Sequence, residues 1–269
     1  MPNTWHCFFG DRAIKKEKRN LYVTQYSSYC DEFYVNMSLN TEMELPRGRD
    51  TLLHFFEQLQ KHYPTMRNFY GREKGEYVLE EDKDSGSYRW TTVEGKRVSS
   101  GYVNPESIDL AEEQHRLVLE SVPYMLSISP LDCESLDFMF GFDFTYRGNH
   151  HALLAEALGI IPAFEKPSEL PGCQIIANEQ SIQFALDEDC RTQCRIAVEP
   201  RTGAYHIRTG EFPEEQLSVY LTLRRYGSLE PDGDYVKTLQ MLQKHAMEVL
   251  EGYVVESILQ PLHAAIAIK

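Results

Sequence analysis

The stretch Leu136-Asp137-Phe138-Met139-Phe140-Gly141-Phe142-Asp143-Phe144-Thr145-Tyr146 alternates bulky apolar residues with polar or smaller ones. A side-chain period of two is typical of a β-strand. Five aromatic rings follow one another on the same face, and that much apolar surface must be covered by a core or an interface. We therefore predict a strand over 136–146 that is covered on its aromatic side.

Directly after this strand, Arg147-Gly148-Asn149-His150-His151 predicts a tight turn and the start of a helix. Asn149 is placed to cap that helix, and Gly159 is placed to end it. A helix start presents unpaired N–H groups that favour an anion, and Arg147 could add a two-point contact to a carboxylate or phosphate. His150 and His151 could act as acid–base groups or ligands.

These residues form the candidate ligand site, which comprises Asp143, Arg147, Asn149 and His150. A purely structural interpretation accounts for the same residues. Asn149 is then only a cap, Arg147 pairs with Asp143, and the two adjacent histidines point in different directions and chelate poorly. Arg224 with Arg225, and His206 on a predicted strand, are weaker candidates.

The flanking sequence predicts sheets backed by helices. The predicted strands lie at 21–26, 33–39, 77–80, 88–93, 97–103, 174–177, 181–186, 193–199, 205–208 and 217–225. One helix is predicted from a cap at Asp50 to Pro64, and a second from Asn104-Pro105-Glu106 to Pro123. A long closing helix is predicted over 234–260, with a seam at Leu239, Leu242, Ala246, Val249 and Tyr253 that suits either a coiled coil or its own sheet.

This order of elements predicts an α+β fold of two mainly antiparallel halves, residues 1–159 and 172–269. Residues 160–171 contain Pro162, Pro167 and Pro171 and are the predicted connection. We expect the two halves to pack as one unit.

Phe144-Thr145-Tyr146-Arg147-Gly148-Asn149-His150 resembles a segment of a sporadically distributed family of uncharacterised bacterial proteins. In that family a similar aromatic strand leads through an Arg-Gly-Asn-His turn into a helix. Tyr63-Pro64 and the helix at 239–258 are also similar. The resemblance implies an architecture and no chemistry, and it does not extend to Asp143 or His151.

The composition narrows the classes of function. With 41 acidic and 27 basic residues the formal charge is −14, which disfavours binding to nucleic acid or to anionic membranes. A basic run (Arg12, Lys15, Lys16, Lys18, Arg19) is expected to be a solvated arm. We see no signal peptide and no apolar stretch long enough for a membrane span. The six cysteines follow no disulfide framework, so a cytoplasmic location with reduced thiols is expected.

Familiar catalytic motifs are missing from the sequence. It contains no glycine-rich phosphate loop and no G-x-S-x-G nucleophile elbow. Cys190 and Cys194 lack the spacing and partners of a zinc ribbon. We therefore expect no cofactor and no metal, and we hypothesise a cytosolic bacterial binding or interaction protein that forms a homodimer. Its partner would be a small anionic ligand or another protein. The alternative is an enzyme acting on a small anionic substrate at the Arg147–His151 turn.

Overall fold

The structure is a computed structural model that describes residues 26–72, 75–168, 170–229 and 234–269. The basic run between Arg12 and Arg19 lies outside the described residues, as does nearly all of the predicted strand at 21–26.

Nine strands within these ranges form an antiparallel sheet in the order β2-β3-β4-β5-β1-β6-β9-β8-β7, which together with its helices confirms the α+β class. The strands are β1 (Glu32–Thr41), β2 (Asn68–Arg72), β3 (Glu76–Glu80), β4 (Tyr88–Glu94), β5 (Arg97–Val103), β6 (Cys133–Tyr146), β7 (Gln180–Ala185), β8 (Thr192–Glu199) and β9 (Glu215–Tyr226). The α-helices are α1 (Arg49–His62), α2 (Ile108–Met125), α3 (His150–Leu158), α4 (Pro162–Ser168), α5 (Ala204–Thr209), α6 (Tyr235–Val249) and α7 (Gln260–Ala267).

The chain forms two compact units that are discontinuous in sequence. Among the described residues, the first unit contains 26–28, 34–136 and 226–238, and the second contains 29–33, 137–225 and 239–269. The proline-rich stretch 160–171, which the sequence suggests as the connection between halves, lies within the second unit.

The core of the first unit lies between one face of its strands and two helices. Alternate residues of β1 are fully buried, among them Val35, Met37 and Leu39. α1 packs on α2 and contributes Phe55 and Leu59 to the buried set. The polar residues between the buried ones of β1 face the other way, so this part of the sheet has one apolar and one polar face.

Both helix starts in the first unit differ from the prediction. α1 begins after Gly48, and Asp50 lies within its first turn, where the helix dipole favours an acid. α2 begins after Ser107, whose hydroxyl accepts a hydrogen bond from the Leu110 N–H, and not at Asn104-Pro105-Glu106. A side chain can cap a helix only if it lies at the residue where the helix begins. Tertiary packing determines which residue that is.

Pro123 does not end α2, which continues to Met125. The Leu126 N–H still donates to the Val122 carbonyl at 2.9 Å, and both side chains are buried. Burial of these two side chains holds the final turn in place despite the hydrogen bond that proline cannot donate. The predicted stop at Pro123 was therefore wrong.

The predicted central strand is confirmed as β6, the core strand of the second unit. Phe138, Phe140 and Phe142 are fully buried. The Phe33 ring stacks on the rings of Phe140 and Phe142, with centroids 5.8 and 5.2 Å apart. The aromatic face of β6 is therefore buried within the chain, and a partner cannot contact it.

Two predicted strands of the second unit are absent. Residues 174–177 have no regular structure, and residues 205–208 belong to the short helix α5. α5 begins where the Gly203 N–H donates to Nδ1 of His206 at 3.1 Å, and it ends at Gly210 in the left-handed conformation, with φ of 71°. The interactions at its two ends therefore make this segment helical, although the alternation around Tyr205 and Ile207 had predicted a strand.

The long closing helix is confirmed. α6 passes through a π-helical stretch (Leu250–Leu259) into α7. Its buried seam runs through Leu250 and Val254, whereas Tyr253, which the coiled-coil spacing had placed in the seam, is 53% exposed. A π-helical turn is wider than an α-helical turn, so residues spaced by four stay on one face. The buried seam therefore passes through Leu250 and Val254 and not through the predicted Val249 and Tyr253. Across the described residues, no helix has the length and apolar character needed to cross a membrane.

Candidate functional site

The strand-to-helix junction after β6 is held by the side chain of Asn149. Its Oδ1 accepts hydrogen bonds from the N–H groups of His151 and Ala152 at 3.0 and 3.2 Å, which confirms the predicted cap. Its Nδ2 donates to the Ile175 carbonyl at 3.0 Å. Asn149 therefore both starts α3 and ties it to a loop 26 residues further along the chain.

Gly148 is required because the ring of Tyr146 lies against its backbone. A β-carbon at position 148 would lie 2.6 Å from the Tyr146 ring and hydroxyl, closer than real contacts allow. The Tyr146 ring also lies next to the His150 ring, with centroids 5.8 Å apart. The glycine of the Arg-Gly-Asn-His turn thus makes room for the last aromatic residue of the strand.

His150 is fully buried, and both of its ring nitrogens are engaged by backbone groups. Nδ1 accepts the Arg201 N–H at 3.1 Å, so in the neutral ring Nε2 carries the proton and donates to the Tyr146 carbonyl at 3.2 Å. The His150 N–H also donates to the Thr202 hydroxyl. Burial lowers the pKa of His150, which favours this neutral ring.

His151 is tied to the protein in the same manner. Its Nδ1 accepts the Asn178 N–H at 2.9 Å, and its Nε2 donates to the Thr202 carbonyl at 2.9 Å. The two adjacent histidines therefore connect the start of α3 to the loops at 178 and 200–203. Neither histidine ring presents a nitrogen to a ligand, because each ring nitrogen is hydrogen-bonded to a backbone group.

Arg147, a residue of the predicted site, lines a cleft. Its Nε donates to the Phe212 carbonyl at 3.2 Å, and the side chain is exposed. The cleft has a volume of about 580 Å³ and is also lined by Tyr205, His206 and Glu211. Since Nδ1 of His206 accepts the Gly203 N–H, the neutral His206 ring carries its proton on Nε2. Arg147 and His206 can both donate to an anion, whereas the Glu211 carboxylate opposes one.

Asp143 lies apart from this cleft. It is 7% exposed, and its backbone carbonyl accepts the Asp31 N–H at 2.8 Å. Burial and the carboxylates of Asp31 and Asp143 raise the pKa of the Cys30 thiol. The structure therefore brings Arg147, Asn149 and His150 together at the junction, while the buried Asp143 lies near Cys30 and Asp31.

The weaker candidates also have definite positions. Arg224 pairs with Asp137, an acidic neighbour, through two contacts. His206 lies on α5 and borders the Arg147 cleft. Within the described ranges no group of three or more His, Cys, Asp or Glu side chains could hold a metal ion.

Comparison with known proteins does not add a family to this description. No family model matches the chain, and no curated protein matches it significantly.

The sequence analysis did not predict that Phe212 contacts Arg147 or that His206 lines the Arg147 cleft. Phe212 is 65 positions from Arg147 in the chain, and His206 is 59 positions from it. No local pattern signals such a contact, because it depends on where the loop after α5 packs. The positive φ of Gly210, which ends α5 and turns the chain toward Phe212, is the nearest local signal.

Proposed function

We propose that this chain is a cytosolic bacterial interaction protein that forms a homodimer through the edge strand β7. The observation that carries the proposal is a concentration of exposed apolar side chains around this strand. Ile182 is 60% exposed, and nearby in sequence the exposed set includes Ile161, Phe164, Leu170, Ile176 and Phe184. Ile161 and Ile182 line the same groove, and exposed apolar surface of this kind is typical of protein interfaces.

β7 is the last strand on its side of the sheet, and no strand in the described part of the chain pairs with its outer edge. Its sequence, Gln180-Ser181-Ile182-Gln183-Phe184-Ala185, contains no charge and no proline. The opposite edge strand, β2, carries Arg72, which pairs with Glu76 at 2.9 Å. Proteins commonly protect edges with charged residues on the edge strand, and β7 itself contains none.

A groove next to β7 extends the apolar surface. It has a volume of about 360 Å³ and is lined by Ile182 of β7, Ile196 and Val198 of β8, and Tyr253 and Ile258 of the closing helix. An apolar side chain brought by a partner could fill this groove. The interface would then combine backbone pairing at the edge with burial of side chains in the groove.

A second copy of the chain is the occupant that fits best. An antiparallel strand is its own complement under a two-fold axis, so the same edge can serve both subunits. The formal charge of −14 makes two copies repel each other overall, and contact through an uncharged strand keeps the charges away from the interface. Cys173, Cys190 and Cys194 are unbridged thiols, in keeping with the proposed cytoplasmic location.

Sedimentation velocity at tens of micromolar, with matched variants, tests this proposal. Ile182→Lys places a charge on the edge, whereas Leu131→Lys places one at an equally exposed apolar position in the first unit (60% and 61%). We expect the wild type and Leu131→Lys to sediment as dimers and Ile182→Lys as a monomer. A monomeric wild type, or a dimer that persists in Ile182→Lys, would contradict the proposal.

A small anionic ligand in the Arg147 cleft is a second candidate function. It is supported by the Phe212 carbonyl, which accepts a hydrogen bond from Nε of Arg147, and by the position of Arg147 in the lining of a ligand-sized cleft. Catalysis at the Arg147–His151 turn is less well supported, because both histidine rings are engaged by the backbone.

Thermal-shift titration with phosphate, citrate and malate tests this second candidate. A ligand that binds only the folded state raises the melting temperature. We expect a shift that is lost in Arg147→Ala and kept in Arg67→Ala. Arg67 is a matched control, since it is also exposed and its Nε donates to a backbone carbonyl, that of Pro64, at 3.1 Å. Equal shifts in the two variants would remove Arg147 from ligand binding.

A further inference from the structure

The polar face of the first unit carries an ordered grid of side chains. Strand register places Ser38, Ser99 and Thr92 in one row across β1, β5 and β4. The next row contains Asn36, Gly101 and Trp90. The hydroxyls of Ser38 and Ser99 lie 2.8 Å apart and are hydrogen-bonded, and Thr92 adds a third hydroxyl residue to the same row.

Trp90 is held in place by the missing side chain of Gly101. A β-carbon at position 101 would lie 2.3 Å from Cε2 of Trp90 and 2.3 Å from Oδ1 of Asn36. The indole therefore occupies space that any other residue at 101 would fill. From the helix side, Nε2 of Gln114 donates to the Trp90 carbonyl at 3.1 Å. The ring is thus positioned by its surroundings before any ligand arrives.

A cavity of about 340 Å³ lies over this grid. Trp90 and Tyr88 supply aromatic surface, while Ser38, Thr92 and Ser99 supply hydroxyls. Thr92 and Ser99 are buried, and Trp90 is half-buried. Ligand sites commonly combine apolar surface with a few positioned polar groups in a volume of this size.

The charged groups that line the cavity neutralise one another. Arg72 pairs with Glu76 at 2.9 Å, Lys83 with Glu80 at 3.1 Å, and Arg97 with Glu94 at 2.8 Å. Among the described lining residues, three cations and three carboxylates leave no net formal charge, which favours a neutral ligand. The paired groups still keep donor and acceptor positions that a neutral polar ligand can use.

We propose that this cavity binds a neutral sugar in its pyranose form. One face of a pyranose ring consists of C–H groups and can stack on Trp90, while its hydroxyls can bond to the hydroxyl row and to the paired charges. A planar aromatic ligand could also stack on Trp90, but it carries fewer groups that can form hydrogen bonds with the hydroxyl row and with the paired charges. Because Trp90 lies next to a row of hydroxyl groups, the cavity favours a ligand whose ring carries hydroxyl groups.

Tryptophan fluorescence offers a direct measurement. The chain contains two tryptophans, Trp5 and Trp90, so Trp5→Phe makes Trp90 the only reporter. We would titrate this protein with methyl glucoside, methyl galactoside, methyl mannoside and N-acetylglucosamine, and with adenine as the aromatic competitor. We expect a saturable change in emission with at least one sugar. No change with any sugar, or a tighter response to adenine, would overturn the proposal.

Saturation-transfer NMR on the wild-type protein and variants provides the second readout. Signal on the sugar C–H protons should be lost in Trp90→Ala and reduced several-fold in Thr92→Val, which removes one hydroxyl while keeping nearly the same shape. Tyr124→Ala, which removes an exposed aromatic side chain of the first unit, is the control and should retain the signal. Transfer that is unchanged in both Trp90→Ala and Thr92→Val would also overturn the proposal. Should Trp90→Ala fail to fold, Thr92→Val alone decides.

Discussion

Arg224 and Asp137 form a two-point ion pair in the second unit. Nε and Nη2 of Arg224 each lie 2.6 Å from a different carboxylate oxygen of Asp137. Asp137 is 8% exposed and points away from the aromatic face of β6. A charge at that depth is tolerated because its partner supplies two charge-assisted hydrogen bonds.

We expect Arg224→Ala to destabilise the protein by about 2 kcal/mol, because it leaves the Asp137 carboxylate buried without this partner. Urea unfolding should show the loss, and the double variant Asp137→Ala/Arg224→Ala should lose less than the sum of the single variants. Lys269→Ala is the control. It breaks an exposed pair with Glu156 in the same unit and should cost much less than Arg224→Ala, because solvent screens exposed pairs. Additive single variants would show that the pair is not coupled.

Replacement of Gly148 tests whether the Tyr146 ring is the reason for glycine in the turn. Gly148→Ala forces the ring to move and should cost roughly 1–3 kcal/mol in unfolding free energy. In a Tyr146→Ala background the clash is gone, and the same substitution should be nearly neutral. An equal cost in both backgrounds would point to the backbone conformation as the cause.

Asn149 has two roles that different substitutions can separate. Asn149→Ala removes the cap and the bond to the Ile175 carbonyl, and we expect it to cost about 1–2 kcal/mol. Asn149→Asp keeps an oxygen acceptor at the helix start and should lose clearly less. Thermal unfolding of both variants measures the difference. If Asn149→Asp is as damaging as Asn149→Ala, then the bond to Ile175 matters more than the cap.

His115 makes the stability of the first unit depend on pH. Complete burial lowers its pKa to about 3, and its Nδ1 lies 3.1 Å from the Ser100 hydroxyl. The folded state therefore favours the neutral ring, while the unfolded chain binds a proton near pH 6.5. This contribution is fully present above pH 6.5 and is lost as the pH falls toward 3.

Between pH 7 and pH 5 the unfolding free energy should fall by about 2 kcal/mol because of His115. Urea unfolding at the two pH values should show a smaller fall in His115→Gln, since the other titrating groups are common to both proteins. The same pH dependence in the variant would assign the effect to other residues.

Local patterns predicted several elements correctly. β6 was predictable because eleven residues alternate without interruption. Only a strand places five rings spaced by two on the same buried face. The start of α3 was predictable because Asn149 and Gly159 are strong local signals at either end. β2 was missed because Phe69 and Tyr70 show no alternation, and its existence depends on pairing with β3.

The candidate site was predicted only in part. Asn149 acts as the cap that its position indicated, and Arg147 faces a cleft, but the cleft is formed by the segment 205–213, which a local pattern does not link to Arg147. The grid around Trp90 was not predicted. Alternation shows which residues share a face of one strand, but the rows across strands depend on register, which turns and packing set together.

By itself, the sequence determined the α+β class, the aromatic core strand, the capped turn after it and the long closing helix. Each of these follows from interactions between residues close in the chain, so each leaves a periodic or capping signal. The tertiary structure alone decided that the rings of His150 and His151 bind backbone groups 27 to 51 residues away, that Arg147 reaches a cleft, and that Trp90 lies over Gly101. These features depend on contacts between distant segments, and only packing brings such segments together.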